Sequence, residues 1–515
     1  MKTHKIFLFF LFTLSFIFVS GLPFPSSGCL GAQSDDPFAD VRTKILEIIS
    51  TESIPSITIA VAQDGKIIWE EGFGWANREK KIKATPDTMY SLASISKPIT
   101  ATGFMILVER ELVDMDVQVN HYLGEAKLKA FRGKASDATI QRLLHHTAGL
   151  PTHWNFFYDD KPQLRPSMDT AIDRYGIIVA PPGTSFNYSN FGYGILDYII
   201  ERVSKKSYPD FMKSEVFDPL DMKHTAVFTS RPPDELVAER YWPQEGGPIP
   251  FYDFDHRGAS GVYSSAHDLV RFGMFHLKNH LKEQKPILKD ETIGLMKEAV
   301  DPRLPKHGYR LGWSVGETFG QKIAAHGGGM PGVRTTLRLL PEKNIAVVVL
   351  CNGQIKDINI INHLIFSSLL PEYATKWEEM QKKQKDKEQG QRPKFTPPSE
   401  LVGRWTGEII TYEGKMQLEM LIEEKGKVWF KVQGEKYGHE KGRSSFELPR
   451  YVKNIFQASF NIKIPTEDAA RAPHQLWLSM NYEQGALTGM AAARSMKLDF
   501  CLPSFIQLTK EAKEK

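Results

Sequence analysis

The sequence predicts an α+β fold followed by a separate, small all-β unit, a barrel or a sandwich. Three observations carry this. Strand-like runs stand near both ends of residues 38–370 and a long stretch of helical periodicity lies between them. One antiparallel sheet drawn from both chain ends, flanked by helices and interrupted by a helical region, satisfies that order. Composition then changes at residues 376–398, which are dense in Lys, Glu and Gln and close on Pro397-Pro398, as a solvated linker would. Beyond it come short alternating runs separated by turn pairs such as Glu413-Gly414 and Gln484-Gly485. The predicted organisation is a signal peptide and leader (1–32), an α+β unit (36–375), a charged linker (376–398) and a β unit (399–515).

The elements follow in order. Lys2 and Lys5 precede an apolar run over 6–19, then Ser20-Gly21 and the helix-breaking Pro23 and Pro25; this is the pattern of a secretory signal. A secreted or periplasmic protein is expected, with cleavage after Gly21 or after Ala32. Ser-Ser-Gly-Cys29 faintly resembles a lipoprotein processing site, so a lipid anchor at Cys29 is an alternative, as is an uncleaved anchor. Residues 38–50 carry helical apolar spacing at Val41, Ile45 and Ile48. Strands at 56–63 and 66–71 are joined by Asp64-Gly65, a hairpin signal. Helices are predicted over 98–112, over 139–146 with a stop at Gly149-Leu150-Pro151, over 193–204, and over 269–277 behind the capping box Ser265-Ala-His-Asp268. Strands return at 310–317, 322–326, 333–340 and 345–350, and a helix at 358–370 closes the unit. In the β unit, strands are predicted at 416–423, 427–432, 457–464, 475–482 and 504–509.

Composition excludes several classes. With 65 basic and 61 acidic residues the net charge is +4, which gives no argument for nucleic acid as a partner. Cys29, Cys351 and Cys501 are the only cysteines, too few for a disulfide framework or a zinc pattern. His145, His146 and His153 invite a metal reading, but nothing supplies carboxylate or thiolate partners at ligand spacing along the chain. No metal and no cofactor are expected. Trp154, Phe156, Phe157 and Tyr158 form an aromatic group that suits either a substrate pocket or a packed core.

Three short motifs carry chemistry. Ser94-Ile-Ser-Lys97 is the one Ser-x-x-Lys spacing in the chain. At the start of a helix it sets hydroxyl and amine side by side, a nucleophile beside a base. Tyr188-x-Asn190 follows Pro181-Pro-Gly and precedes a helix. His326-Gly327-Gly328-Gly329 ends a strand, and its glycines permit close approach by a ligand. Taken singly, each has a plain reading as a helix cap, a core aromatic or a turn. Coincidence of all three in this order is improbable.

Together these motifs resemble the serine β-lactamase and penicillin-binding-protein superfamily, in its class C-like branch, which also holds esterases, D-aminopeptidases and D-alanyl-D-alanine carboxypeptidases. The stretches Leu143-Leu-His-His-Thr-Ala-Gly-Leu-Pro151, Pro182-Gly-Thr-Ser-Phe-Asn-Tyr188 and Gly258-Ala-Ser-Gly-Val-Tyr-Ser-Ser-Ala-His-Asp-Leu269 are also similar to that family, over roughly residues 38 to 370. The resemblance implies a β-lactamase/transpeptidase-like fold and an acyl-enzyme on Ser94. It implies that Lys97 helps take the proton and that Tyr188 is a base, as phenolate. The oxyanion hole would be the backbone N–H groups of Ser94 and Gly329. Asn190, His326 and Gly328 would bind substrate.

One departure stands out. The family's Lys-Thr-Gly is here His326-Gly327-Gly328. A His holds a substrate carboxylate less reliably than a Lys, although protonation near its ordinary pKa of about 6.5 would partly restore this. The expected activity is therefore hydrolysis of an ester or of a small peptide amide, with D-residues included. A β-lactamase or D-alanyl-D-alanine carboxypeptidase comes next, then a non-catalytic penicillin-binding-like protein. Gly403-Arg-Trp405 gives the β unit a lipocalin-like touch, and its expected role is to cap the site or to mediate oligomers.

Overall fold

The computed structural model describes residues 36–233, 235–243, 246–298, 307–385, 395–432, 435–438, 449–495 and 500–511. The leader, Cys29 and both candidate cleavage points lie outside the described residues. Among the described residues no helix is long and apolar enough to cross a membrane.

The main sheet has eight antiparallel strands in the order Gly308–Tyr309, Ser314–Thr318, Gln321–Met330, Val333–Leu340, Ile345–Cys351, Ser56–Gln63, Lys66–Asn77 and Ile82–Lys83. It is drawn from both chain ends: Ile57 lies opposite Cys351 and Gln63 opposite Ile345. The hairpin turn has Asp64 at φ 50 and Gly65 at φ 75, the two positive values that a type I′ turn requires.

Both central strands are buried on both faces, and alternation sorts their side chains into two cores. Ile57, Ile59 and Val61, with Val347 and Val349, pack against Val41, Ile45 and Ile48 of the helix Ala39–Thr51 and against Ile361, Ile365 and Phe366 of Asn359–Leu369. Ala60, Ala62, Ala346, Val348 and Leu350 face the other way, toward Ile99 and Phe104 of Ser96–Glu109 and Leu269 and Phe272 of Ala266–His276. Each buried Val, Leu, Ile or Phe side chain here contributes about 1.5–3 kcal/mol, and each Ala less. A helix–sheet–helix sandwich results. The helix Ser96–Glu109 that carries Lys97 is deeply enclosed, with twelve consecutive buried residues from Ser96 to Leu107.

Several boundaries differ from the sequence expectation for physical reasons. The strand expected to end at 326 runs on through its glycines to Met330. The first half of the strand expected over 310–317 is a turn between Gly308–Tyr309 and Ser314–Thr318, because Gly312 at φ 84 lets the Arg310 N–H donate to the carbonyl of Trp313. The capping box is half made: Ser265 accepts from the Asp268 N–H, but the Asp268 carboxylate is taken by the His224 N–H and the Thr225 hydroxyl. The first part of the expected linker is helical, since Pro371–Lys385 extends into it; Lys, Glu and Gln are good helix formers even where they bury little.

The β unit is two meanders that meet where Gly403–Ile410 pairs with Phe500–Lys510. From that seam one runs through Lys415–Ile422 and Val428–Val432 to Glu435–Gly438. The other runs through Ala486–Ser495, Gln475–Glu483 and Ile455–Phe460 to Arg450–Val452. The sheet rolls until Phe430 and Phe460, from strands far apart in its order, bring their ring centres within 4.5 Å. A rolled barrel-like sheet is thus realised, with Trp405 fully buried inside it.

The β unit is also joined to the first unit by backbone. Trp154–Tyr158 pairs on one side with Tyr252–Phe254 and on the other with Phe500 and Cys501. The aromatic group of the sequence is therefore a strand. Phe156 stacks on Tyr252 at 5.0 Å and is packed rather than open. Phe131 on Phe505, Arg132 with Glu483 and Arg174 with Asp468 add side-chain contacts between the units.

Candidate active site

Ser94 sits in a 3-10 turn, Ala93–Ile95, that feeds the helix Ser96–Glu109. The residue before it, Ala93, has φ +49, a left-handed conformation that costs a non-glycine residue about 1–2 kcal/mol. The surroundings hold it there. Ser96 Oγ accepts from the Val262 N–H, Thr100 Oγ1 donates to the Gly258 carbonyl, and Thr335 Oγ1 donates to the Leu92 carbonyl. The turn is thereby trapped between the main sheet and the segment Arg257–Ser260.

The same close packing explains Gly328. A Cβ there would lie 2.1 Å from both the Leu92 carbonyl oxygen and Thr335 Oγ1, so only glycine lets the strand reach the turn. The strand Ser314–Thr318 pairs with Gln321–Met330 only as far as Ala325. Among the described residues, 326–330 consequently present one unpaired strand edge toward the Ser94 turn. Free backbone N–H groups on such an edge are what an oxyanion hole needs, and Gly329 lies on it.

Lys97 is fully buried. Its Nζ lies 3.1 Å from Ser94 Oγ, 2.8 Å from Asn190 Oδ1 and 3.2 Å from the Ala259 carbonyl oxygen. Burial pushes its pKa well below the ordinary lysine value. Nζ donates to all three oxygens, which match its three N–H bonds. When the amine gives up one proton, the Asn190 and Ala259 oxygens hold the two that remain and the lone pair faces Ser94 Oγ. The sequence resemblance implied Tyr188 as a phenolate base, and here the proton inventory runs the other way. Burial raises the Tyr188 pKa, and its hydrogen bond with Ser94 offsets this only in part.

Tyr188 reaches the site on a loop strapped to the Leu143–Pro151 stretch. The N–H of Asn187 donates to the His146 carbonyl, the N–H of Ser189 donates to His146 Nδ1, and Asn187 Nδ2 donates to the Leu150 carbonyl. Ser189 caps the helix Asn190–Ser204, so Asn190 is a first-turn helical residue and not the cap. Its Nδ2 donates to the His153 carbonyl at 3.0 Å. That bond fixes which end of the amide faces Lys97.

His326 faces the same pocket but is occupied. Its Nδ1 lies 2.8 Å from the Gly327 carbonyl oxygen and its Nε2 3.0 Å from the Tyr309 hydroxyl. A neutral ring that donates from Nδ1 and accepts at Nε2 satisfies both. Burial and the nearby Lys97 push its pKa down to about 3. Protonation near 6.5, expected from an ordinary His, is thus displaced by burial. Tyr309, whose ring packs 4.6 Å from that of His146, went unnoticed in the sequence because it lies between motifs.

A second polar cluster lies behind the first. His153, Asp255 and His256 offer atoms of ligand type within 4.8 Å of one another, all buried. The sequence had shown no carboxylate near His153; folding supplies one from a distance of about a hundred residues. Asp255 accepts from His153 Nε2 at 2.9 and 3.0 Å, from His256 Nδ1 at 2.7 Å and from Asn155 Nδ2 at 3.3 Å. Burial alone would raise the Asp255 pKa; the field and hydrogen bonds of His153 and His256 outweigh it and hold the carboxyl well below its usual range. Metal-bound imidazoles direct their outer nitrogen at a partner, whereas His153 Nδ1 and His256 Nε2 have none. The cluster reads as a hydrogen-bonded unit and not as a metal centre.

Residues 41–368 match the family described as Beta-lactamase. The chain belongs to the serine β-lactamase and penicillin-binding-protein superfamily. Relatives include protein flp of Staphylococcus aureus strain MW2, 25% identical over 351 residues that span 65% of this chain and 69% of that protein. The human mitochondrial serine beta-lactamase-like protein LACTB is 26% identical, spanning 65% of this chain and 79% of its own. Among solved structures, the octameric penicillin-binding protein homologue from Pyrococcus abyssi aligns with a TM-score of 0.56 at 22% identity, over 91% of this chain and 99% of that one. A D-amino acid amidase from Ochrobactrum anthropi aligns with a TM-score of 0.52 at 21% identity, over 66% of this chain and all of the other. The first likeness extends into the β unit; the second has the extent of the α+β unit.

Proposed function

We propose that the chain is a serine hydrolase that works through an acyl-enzyme on Ser94, with an uncharged ester or small peptide amide as substrate. The observation that carries this reading is the hydrogen-bond inventory of Lys97. Nζ lies within hydrogen-bond distance of Ser94 Oγ, Asn190 Oδ1 and the Ala259 oxygen. In the neutral form, which burial favours, the last two take its N–H bonds and the lone pair receives the Ser94 proton as Oγ attacks the carbonyl carbon. The C=O π electrons move to oxygen, where the N–H groups of Ser94 and Gly329 stabilise the charge; one such donor is worth about 10²–10³ in rate. When the tetrahedral intermediate collapses, the bond to the leaving group breaks. The neutral Tyr188 hydroxyl protonates that group and is resupplied from the Lys97 ammonium. Water then repeats the sequence on the ester of Ser94.

The substrate class follows from His326. A neutral ring engaged by Tyr309 and Gly327 offers a carboxylate neither charge nor a free donor, which favours groups without one. Amides of D-residues belong in the panel because a structural neighbour is a D-amino acid amidase. The basic and apolar leader within residues 1–32 supports export, and cell fractionation tests it.

Ser94→Ala should abolish labelling by a fluorophosphonate probe, read by intact-mass spectrometry. Equal labelling of the variant sinks the mechanism. Turnover of p-nitrophenyl esters should exceed that of nitrocefin and of a D-Ala-D-Ala peptide; a lactam as the best substrate sinks the substrate reading and leaves the mechanism standing.

A further inference from the structure

We propose that the carboxy-terminal β unit completes the catalytic centre through Arg471, a positioning residue for the Asn190–Lys97 pair. The inference rests on the Ser94 reading above and goes beyond it, because no part of that chemistry requires residues past 370.

The two units are linked by an unbroken chain of polar contacts. Arg471 donates from its guanidinium to Asn155 Oδ1. Asn155 Nδ2 donates to Asp255 at 3.3 Å, and Asp255 holds His153 Nε2 at 2.9 Å. The His153 carbonyl accepts from Asn190 Nδ2, and Asn190 Oδ1 accepts from Lys97. Two amides in this chain can each face either way, and the partner at one end decides. Arg471 can only donate, so Asn155 must turn its oxygen to Arg471 and its NH₂ to Asp255. The His153 carbonyl can only accept, so Asn190 must turn its NH₂ there and its oxygen to Lys97. That last orientation takes an N–H of Lys97 and, in the neutral amine, leaves the lone pair for Ser94. A rotated Asn190 would present NH₂ to the amine and spoil the base.

The backbone follows the same route. Phe500 and Cys501 pair with Asn155 and Trp154, the residues that follow His153, so the β unit holds the segment that carries the decisive carbonyl. The guanidinium itself is clamped between the Phe157 and Phe500 rings, at 5.4 and 4.7 Å. Asp255 draws on it too, since the Asp255 charge raises the Arg471 pKa against the lowering effect of burial.

Other contacts between the units give a control. Arg132 pairs with Glu483 at the surface, where Glu483 is 64% exposed, and touches none of the groups in this chain. The full-length protein, Arg471→Gln, Arg471→Lys and Glu483→Gln are compared with a fluorophosphonate ester as probe, and the maximal inactivation rate is separated from its half-saturation concentration. Arg471→Gln should lower the maximal rate about 10–100-fold with half-saturation unchanged, the effect expected when reacting groups are slightly misplaced. Arg471→Lys, which keeps the charge and, unlike Gln, can only donate to Asn155, should recover part of the rate. Glu483→Gln should label as wild type does.

A wild-type rate for Arg471→Gln, or equal slowing by Glu483→Gln, overturns the proposal. If Arg471→Gln does not fold, Asn155→Ser keeps the guanidinium and cuts the relay; it must show the same slowing, and a wild-type rate there overturns the proposal as well. A wild-type protein that never labels would instead strike down the Ser94 reading.

Discussion

Two buried polar clusters stand back to back in this protein, and they are built on opposite principles. Around Lys97 the groups have capacity to spare. Burial lowers the pKa of the amine, its nitrogen lies 3.1 Å from a hydroxyl, and among the described residues the adjoining strand edge from 326 to 330 lacks a strand partner. Around Asp255 the acceptors are saturated, with donors arriving from His153, His256 and Asn155. The first arrangement leaves protons free to move. The second commits its carboxylate to several donors at once, which is what a support requires. They share one residue, His153, whose ring belongs to the support and whose carbonyl orients the reactive side.

Substitutions can break that contrast at either end. The largest effect is expected from Lys97→Met, which should slow acylation of Ser94 by about 10³-fold or more, the scale of a lost general base. Stopped-flow or timed labelling would measure it, and a rate within tenfold of wild type would deny Lys97 its role. Asp255→Asn should act mainly on stability, costing about 3–5 kcal/mol in urea unfolding, because it removes one charge from a buried cluster and strands the rest.

His326→Lys comes next. Restoring a cation should raise turnover of carboxylate-bearing lactams about tenfold relative to neutral esters, the ratio of kcat/KM being the measure. His326 also links stability to pH. Its folded pKa of about 3 lies below the unfolded value near 6.5. The unfolded chain binds the extra proton between those values, so the protein should lose stability as pH falls from about 6.5 toward 3. His256 shifts in the same direction, and Asp255 adds a further loss below about pH 4 as its depressed carboxyl is protonated. His326→Gln should flatten the upper part of this dependence in thermal melts. The smallest effect is expected from chelation: EDTA should leave activity and melting unchanged, and a loss would reopen the metal reading of His153, Asp255 and His256.

The reactive cluster was largely legible in the sequence, and the support was not. Ser94 and Lys97 are three residues apart and Tyr188 and Asn190 two, so each pair is recognisable as local spacing. The glycine run after His326 carries its own steric logic. Asp255 meets His153 across 102 positions, with no spacing to betray it. Fold class was readable because the central strands are apolar on both faces and a clear turn joins the first hairpin. Strand extents were less so. Glycines hid the continuation to Met330, and in Ala486–Ser495 small residues hid a strand whose neighbours fill the core. The protonation states of Tyr188 and His326 depend on burial, which residue identity alone does not express.

The strand Phe500–Lys510 gives the molecule a timetable. A polypeptide is made from its amino end, so Ser94, Lys97, Tyr188 and His326 all leave the ribosome before Arg471 and Phe500. Until those last residues are made, one edge of Trp154–Tyr158 has no neighbour, and the seam that joins the two meanders of the β unit does not exist. On the mechanism proposed above, the nascent chain carries its nucleophile long before it carries the means to aim it, and a chain cut short in its last few dozen residues would keep the chemistry but not the alignment.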